Sequence, residues 1–401
     1  MKKYWKTILI SLVIVTTIGS YYIQLAMASK NDVSFKIETT SGNKEEIENL
    51  ILQADYQSGN THRWLYISKD GSTDRFRRPF RSFIENLIAP DEPSMFQKYI
   101  QEHRNFMRGK DLYPSLYFED EARLIYTDIS DNYGKVIQGN LLTFNIDILD
   151  KNTNDSTSFE INTPVQASYN WMNVNDIYVE DGKIKILATG HLINGGVELH
   201  IYTLDESNKE LQHDAMIAKV ESEEGVMPRI RIFNDADNIQ NENYYLYMVE
   251  KYKNQKEDAE PETIPSQIYL YNNLNNEVEE WTIPAELKPN VESMVLHGAD
   301  IFIPVPSANG IEVNRYNIEK KQWEEPVNFN YPSTFNDKDV PFLQLTDGKL
   351  YLVNRIADGH LLFIGDLRTG ESLYEGKIIV DNSENRDTDY SLNIQQLDII
   401  N

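Results

Sequence analysis

Residues 343–355, LQLTDGKLYLVNR, place two apolar–polar alternations on either side of Asp347-Gly348. Alternation is the period of a strand, and Asp-Gly is a preferred two-residue hairpin turn because both residues tolerate positive φ. The stretch therefore reads as a β-hairpin, and it is not alone. Residues 178–187, YVEDGKIKIL, repeat it closely. Looser copies are FEDEARLIY (118–126), NENYYLYMV (241–249) and LHGADIFI (296–303). With turns placed at Asp120, Asp181, Glu242, Gly298 and Asp347, the copies recur every ~50 to 60 residues, a spacing that marks repeat architectures.

Each first hairpin is followed by a second alternating run that ends in a polar turn: LLTFNIDILDKN (141–152), VELHIYTLDESN (197–208), SQIYLYNNLNNE (266–277), IEVNRYNIEKKQ (311–322) and HLLFIGDLRTGE (360–371). A further short strand comes next, as in EVEEWTIP (277–284), QWEEPVNF (322–329) and SLYEGKII (372–379). The unit is thus four antiparallel strands. Such a unit has two apolar faces and cannot bury both by itself, whereas units stacked around an axis bury face on face. A β-sandwich is the competing architecture, and five matched units weigh against it.

On these runs the chain, over residues 36–401, resembles the β-propeller superfamily. VNRYNIEKKQWEEP (313–326) and IYLYNNLNNEVEEWTIP (268–284) look like the tail of a kelch repeat, with a Tyr, a polar turn and a Trp. The early Gly-Gly pair of kelch units and the Gly-His and Trp-Asp marks of WD40 repeats are missing, so the resemblance stops at the superfamily and brings no functional residues with it. The expected fold is all-β: a propeller of six four-stranded blades, or seven if one lies hidden in residues 36–110. The last strand-like run, residues 390–400, has no unit of its own. It is expected to complete a blade with VSFKIET (33–39), NLILQADY (49–56) and RWLYISKDGS (63–72), joining the two ends of the chain.

The chain has 401 residues, 40% of them hydrophobic and 25% charged, with 24 Tyr and 15 Phe. This is a globular, strand-favouring composition. A formal net charge of -25 opposes general binding to nucleic acid or to anionic lipid. The absence of Cys excludes disulfides, thiolate metal sites, a Cys nucleophile and a lipidated Cys.

Residues 1–6, MKKYWK, are basic, and residues 7–28 carry no charge. That length suits a transmembrane anchor with the basic flank in the cytoplasm. Ala26-Met27-Ala28 equally suits a signal-peptidase site, with cleavage after Ala28. Either reading exports the remainder, through a short linker (29–35), to a cell-envelope location: anchored with its C-terminal domain outside, or secreted.

Residues 75–110 interrupt the repeat. They carry Arg75, Arg77, Arg78, Arg81, Lys98, Arg104, Arg108 and Lys110 against Glu85, Asp91, Glu92 and Glu102. Short helices are expected over 82–88 and 94–106, with Phe96, Tyr99 and Ile100 on one face. The segment is a basic helical insertion, either a flap paired with the acidic surface or a site where Arg75, Arg77, Arg78 and Arg81 meet an anionic ligand.

For metal chemistry the candidate is calcium. Asp150, Asn152 and Asn154 occupy positions 1, 3 and 5 of an EF-hand-like loop, but Asp155 stands where Gly is needed and the segment lies in a hairpin turn. It reads as a solvated turn, and NDADN (234–238) reads the same way. The seven His residues show no metal-binding spacing and are expected in loops or at blade edges. No nucleophile elbow, phosphate loop or dinucleotide fingerprint occurs, so no catalytic residue is assigned. Gly195-Gly196 marks a strand-joining turn, and KNQKEDAEPETIP (253–265) an exposed loop.

The expected role is a binding, sensor or assembly module for a protein or glycan of the envelope, touching the membrane only through its N-terminal segment. The rivals are a hydrolase or lyase of envelope polymers and a calcium-stabilised structural module. Convergence of Asp, Glu or His side chains from different blades would favour the enzyme.

Overall fold

The computed structural model describes residues 5–29, 33–75, 95–129, 141–164, 168–253, 262–307, 310–331, 341–381 and 390–400. Its first strand is β1 (Phe35–Gly42). Sheet I is built from β2 (Leu50–Ser58), β3 (Thr61–Ser68) and β4 (Gly71–Asp74). Sheet II holds β5 (Tyr117–Glu119), β6 (Arg123–Ile129), β7 (Leu141–Asp150) and β8 (Ser156–Pro164). Sheet III holds β9 (Tyr169–Glu180), β10 (Lys183–Leu192), β11 (Val197–Asp205) and β12 (Glu210–Val220). Sheet IV holds β13 (Val226–Ile232), β14 (Tyr244–Lys253), β15 (Glu262–Asn272) and β16 (Glu277–Trp281). Sheet V holds β17 (Val295–His297), β18 (Asp300–Ser307), β19 (Gly310–Asn317), β20 (Gln322–Trp323) and β21 (Val327–Asn330). Sheet VI holds β22 (Phe342–Thr346), β23 (Lys349–Ile356), β24 (Gly359–Asp366) and β25 (Ser372–Val380). The last strand, β26 (Ser391–Ile399), returns to sheet I. All six sheets are antiparallel, and no seventh occurs among the described residues.

The Asp-Gly hairpins form as expected. Asp181 and Gly182 have φ of 49° and 72°, and Asp347 and Gly348 have 51° and 67°. Positive φ at both central residues matches the right-handed twist of the flanking strands. Gly195-Gly196 joins β10 to β11 as a turn. Of the loop expected over 253–265, residues 254–261 lie outside the described residues, and β15 already begins at Glu262. The fourth position of sheet V is split into β20 and β21, which both pair with β19. Pro326 sits in the gap, where it has no N–H to give to a ladder.

Successive side chains of one strand serve opposite junctions. Tyr245 and Tyr247 of β14 pack with Leu187, Leu199 and Ile201 of sheet III, whereas Leu246 and Met248 pack with Leu296, Ile301 and Ile303 of sheet V. Leu350 and Leu352 of β23 meet Phe302, Ile311 and Val313 of sheet V, whereas Tyr351 and Val353 meet Leu52 and Leu65 of sheet I. This explains why YYLYMV and LYLV are unbroken apolar runs: both faces of each sheet are covered. Sheets II and III close in the same way, with Phe144 and Ile146 against Ile184, Ile186 and Tyr202. Burial of each such side chain contributes about 1.5–3 kcal/mol.

The chain ends meet at the junction of sheets VI and I. β26 pairs with β2 in the register Leu52↔Leu397 and Tyr56↔Leu392. The expected hand-off therefore occurs, with one correction. VSFKIET does not join that sheet; as part of β1 it pairs with β25 on the edge of sheet VI, Phe35 opposite Val380. The reason is that both edges of β2 are already taken, by β26 and β3. A second correction concerns Glu242. It is not a tight turn between strands, because β13 and β14 are joined by the longer connection 233–243.

The insertion supplies α2 (Gln97–Glu102) and α3 (Arg104–Met107), once α1 is assigned to Trp5–Ser29 at the N-terminus. The helix expected over 94–106 is broken at His103, with φ -124° and ψ 43°. Phe96 and Tyr99 are buried and Ile100 packs beside them, as the spacing predicts, against Tyr117, Leu124 and Tyr126 of sheet II. The helix expected over 82–88 lies outside the described residues. In α1, Leu9, Ile10, Leu12, Val13, Ile14, Val15 and Ile18 are all exposed, and Thr16 and Thr17 donate to the carbonyls of Leu12 and Val13 at 2.8 Å. Among the described residues no helix is long and apolar enough to cross a membrane.

Replacing Leu397 by Ala should remove about 2–5 kcal/mol of stability, the range for deleting a buried Leu side chain. The exposed neighbour Gln395→Ala should stay within about 0.5 kcal/mol of the parent. Urea unfolding of the two variants measures the difference, and equal midpoints would remove β26 from the core.

Candidate functional site

Connection 233–243 leaves β13, touches sheets II, III, V and VI near their first strands, and is linked to sheet I through Gln344. Toward sheet V, Asp235 N donates to Leu296 O (3.1 Å), and Leu296 N donates to Phe233 O (2.7 Å). Toward sheet II, Glu119 N donates to Ile239 O (2.7 Å). Toward sheet III, the Asn241 carboxamide accepts from Val179 N (2.7 Å) and donates to Val179 O (2.6 Å), behaving as a one-residue strand. Toward sheet VI, Asp235 accepts from Thr346 Oγ1 (2.9 Å) and from Asp347 N (2.7 Å). Gln344 Nε2 reaches Asp237 Oδ2 (3.3 Å) and also Leu397 O of sheet I (3.2 Å). Asn234 closes its own hairpin, donating to Tyr244 O (2.8 Å) and accepting from Leu246 N (3.1 Å). A segment that must satisfy the strand ends of every sheet needs side chains with both donors and acceptors, which is why Asn and Asp dominate it.

Beside this hub lies a cavity of about 700 Å³. One part of its lining is Arg75, Met95 and Phe96 of the insertion with Leu112 and Tyr113 just after it. The facing wall is Asp235, Asp237, His297 and Asp347, and sheet I contributes Gln53, Gln396 and Asp398. Asp398 is held by Gln53 Nε2 (2.7 Å) and Gln396 Nε2 (2.6 Å). Asp235 is buried and fully committed to its partners. Asp237 opens to the water of the cavity, although protein rings it on most sides. That burial, followed by the charges of Asp235 and Asp398, pushes its carboxyl up to about 6.

The groups behind the cavity are perturbed in the same direction. Burial pushes Glu242 up to about 7, although Asn238 and the Gly298 N–H both donate to it. Burial pushes Asp176 of β9 up to about 8, with the Glu242 charge adding to it. His297 Nδ1 lies 3.6 Å from Asp235 Oδ2, and Asp235 first, then Glu242 and Asp347, hold the imidazole above its ordinary range against desolvation.

Of the four arginines expected to form an anion site, Arg75 lines this cavity, and Arg77, Arg78 and Arg81 lie outside the described residues. Farther along the insertion, Lys110 pairs with Asp147 of β7 and lies over the Phe106 and Tyr126 rings. The calcium candidates form the β7–β8 turn. Asp150 Oδ1 accepts from Asn152 N (2.8 Å) and Thr153 N (3.1 Å), and Asn154 Oδ1 stands 2.8 Å from His103 Nδ1. Their oxygens thus close a turn and tie it to the break between α2 and α3. Among the described residues no group of three or more His, Cys, Asp or Glu could hold a metal ion.

Two expectations need correction. NDADN is not a solvated turn, because long-range backbone and side-chain bonds anchor it at the centre of the molecule. The histidines are not confined to loops and edges: His200 is buried within β11, with Nδ1 2.7 Å from Asp214 Oδ1, and His360 is buried in β24. A carboxylate on the neighbouring strand lets His200 sit inside a sheet.

Six sheets packed face on face, their first strands gathered around one hub and their ends closed by β1 and β26, decide the architecture. The chain folds as a β-propeller. No family model matches this propeller, and no curated protein matches it. Solved structures with which it aligns include TolB from Acinetobacter baumannii, at 14% identity over 83% of this chain and 64% of that one, with a TM-score of 0.29. The β-propeller domain of the Trilobed protease from Pyrococcus furiosus aligns at 9% identity over 84% of each chain, with a TM-score of 0.32. The polysaccharide lyase Uly1 aligns at 11% identity over 66% and 57%, with a TM-score of 0.35. The propeller spans less than two thirds of the length of TolB and of Uly1. These likenesses say nothing of ligand or activity.

The perturbed groups set a pH dependence. Asp237, Glu242 and Asp176 keep protons in the folded state that the unfolded chain releases near pH 4, and His297 acts in the same sense above its ordinary pKa. Stability falls with pH wherever the native state holds more protons. The propeller should therefore lose stability as pH rises from about 4 through about 8, at up to about 1.4 kcal/mol per pH unit for buried Glu242 and Asp176. The exposed Asp237 contributes less, and His191, lowered by burial, opposes the trend near its ordinary value. Asp120 and Asp366, whose carboxyls are lowered by hydrogen bonds, act in the opposite sense but only at lower pH. Thermal unfolding should give a higher Tm at pH 5 than at pH 8.5, and Asp176→Asn should flatten the profile. A Tm that rises over this window would refute the burial of these carboxyls.

Proposed function

We propose that the six sheets are the six blades of a closed ring, and that the propeller is an extracytoplasmic binding module. Its axial cavity receives a cationic group, an ammonium or guanidinium, from a protein or glycan of the cell envelope. One observation carries this reading: Asp237, Asp347 and Asp398, from sheets IV, VI and I, face one cavity in which Arg75 is the lining guanidinium. A chamber walled by low-dielectric protein in which carboxylates outnumber cations concentrates ligands of positive charge. Tyr113, 60% exposed on the opposite wall, offers an aromatic face to the same cation. The basic start of the chain and the exposed apolar surface of α1 support export, with α1 as a leader or a membrane attachment.

A second reading has a specific observation in its favour. Asp235, His297 and Asp347 come from three sheets to one cavity, and beside them burial pushes the Asp237 carboxyl up to about 6, in the direction that the acid of a hydrolase or lyase needs.

Calorimetry of the full chain in detergent, against pentalysine and against glucosamine oligomers, tests the binding reading and separates the two sources of cation. One of them should bind, with affinity falling steeply with salt, and Asp237→Asn or Asp398→Asn should weaken it about five- to tenfold. Equal binding of N-acetylglucosamine oligomers would overturn the cationic assignment. Release of new reducing ends, lost in Asp237→Asn, would favour the enzyme. Membrane fractionation and N-terminal sequencing test export: the expected outcomes are retention in the membrane pellet or a mature start at residue 29, and an intact soluble cytoplasmic chain would refute it.

A further inference from the structure

A second cavity, of about 400 Å³, lies where sheet III faces the β15–β16 turn of sheet IV, apart from the axial site. Strand register sets its lining. Lys185 is directly opposite Thr203, and Thr203 is directly opposite His213, so the three side chains lie in a row across β10, β11 and β12 on one face. Lys183, two residues before Lys185 with no bulge between them, shares that face. Two lysines side by side repel each other, and Lys183 has no hydrogen bond or ion pair among the described residues to offset this.

Lys185 is only 8% exposed. Its Nζ donates to Asn273 O and to Asn276 Oδ1 (2.9 Å) and lies 5.4 Å from the centre of the Tyr178 ring. An ammonium has three N–H donors, and these two acceptors leave one for the cavity that Lys185 lines. Burial lowers the Lys185 pKa and Lys183 lowers it further, opposed by Glu180. An anion in the cavity would relieve both penalties. Among the described residues, no hydrogen bond or ion pair engages the side chains of Lys183, Thr203 or His213. Glu180 and Asp181 at the rim limit the net positive charge, so the fitting ligand is compact and oxygen-rich rather than a polyanion.

We infer that this cavity is an oxyanion site, taking a phosphate- or carboxylate-bearing small molecule between Lys185, Lys183, the Thr203 hydroxyl and His213. The oxyanion itself occupies a fraction of the volume, and the remainder, beside the exposed Leu274, accommodates the group that bears it.

The test is calorimetry and thermal shift on the full chain with inorganic phosphate, and separately with acetate, each against chloride at matched ionic strength. Phosphate, acetate or both should raise Tm above the chloride control, and whichever binds identifies the source class. The double variant Thr203→Val/His213→Ala touches no described hydrogen bond and should fold normally while weakening binding by about tenfold or more, equivalent to about 1.4 kcal/mol. Lys185→Met, with its folding checked by circular dichroism, should abolish binding. Asp237→Asn should leave it unchanged, so failure here is distinct from failure at the axis. No Tm gain over chloride for either anion, or an equal gain in the double variant, would overturn the assignment.

Discussion

Sheets II to VI of this propeller are apolar on both faces and sheet I on the face that meets sheet VI, and much else follows from finding cover for them. Strand β14 shows the constraint at the scale of single residues. Tyr245 and Leu246 are neighbours in sequence, yet they point into different junctions. A row of such sheets always leaves two faces in water unless it curves until the last meets the first. The ends of the chain make that meeting secure. β26 supplies the strand of sheet I next to β2, and β1 covers the edge of sheet VI. Both ends thus lie at one junction, where Phe35, Tyr56 and Tyr390 stack their rings within 6 Å of one another.

Gathering the first strands around one hub creates a second problem. The first strand of each sheet has an edge with no fellow strand, and its N–H and C=O groups need partners. Connection 233–243 provides many of them. Asn241 completes Val179, the backbone around Phe233 and Asp235 completes Leu296, and Ile239 completes Glu119. The solution concentrates carboxylates. Asp235 and Glu242 are buried, and Asp176 lies within the influence of Glu242. Satisfying the backbone with acidic side chains leaves the centre of the molecule in want of positive charge, and the same groups that hold the ring together set the polarity of the cavity beside them.

Legibility in the sequence followed the range of the interactions. Asp347-Gly348 and Asp181-Gly182 announce hairpins because the turn is decided by two residues and their φ angles. The face formed by Phe96, Tyr99 and Ile100 was visible because helical spacing is local. The sheet to which β1 belongs was not visible. VSFKIET alternates like any strand, and the occupancy of the β2 edges is settled far away, at residues 391–399. The hub was hidden for the same reason. Asp235 finds its partners at Thr346 and Asp347, and Asn241 at Val179. One signal was present: from Asn234 to Asn243, NDADNIQNEN is polar at all but two positions, far more than a hairpin turn needs. Arg75 was singled out for its charge and does reach the cavity, but the acidic wall it faces comes from distant sheets and has no trace in its own segment.

The cavity occupies the place where the packing rule is relaxed. Five junctions are closed by apolar side chains of adjoining sheets meeting directly. Between sheets I and II the apolar cluster is built instead from sheet II, α2, α3 and Ile239. α2 and α3, of six and four residues, are too short to cover a sheet along its whole height, and the space left opens onto the hub. Sheet I is fixed on its other side by β26 and by the aromatic stack at the sheet VI junction, so it does not depend on a tight seam with sheet II. The wedge therefore opens without parting the sheets that meet through apolar side chains. The apolar seams and the open space thus fall at different junctions, and a chamber of about 700 Å³ stays beside the hub.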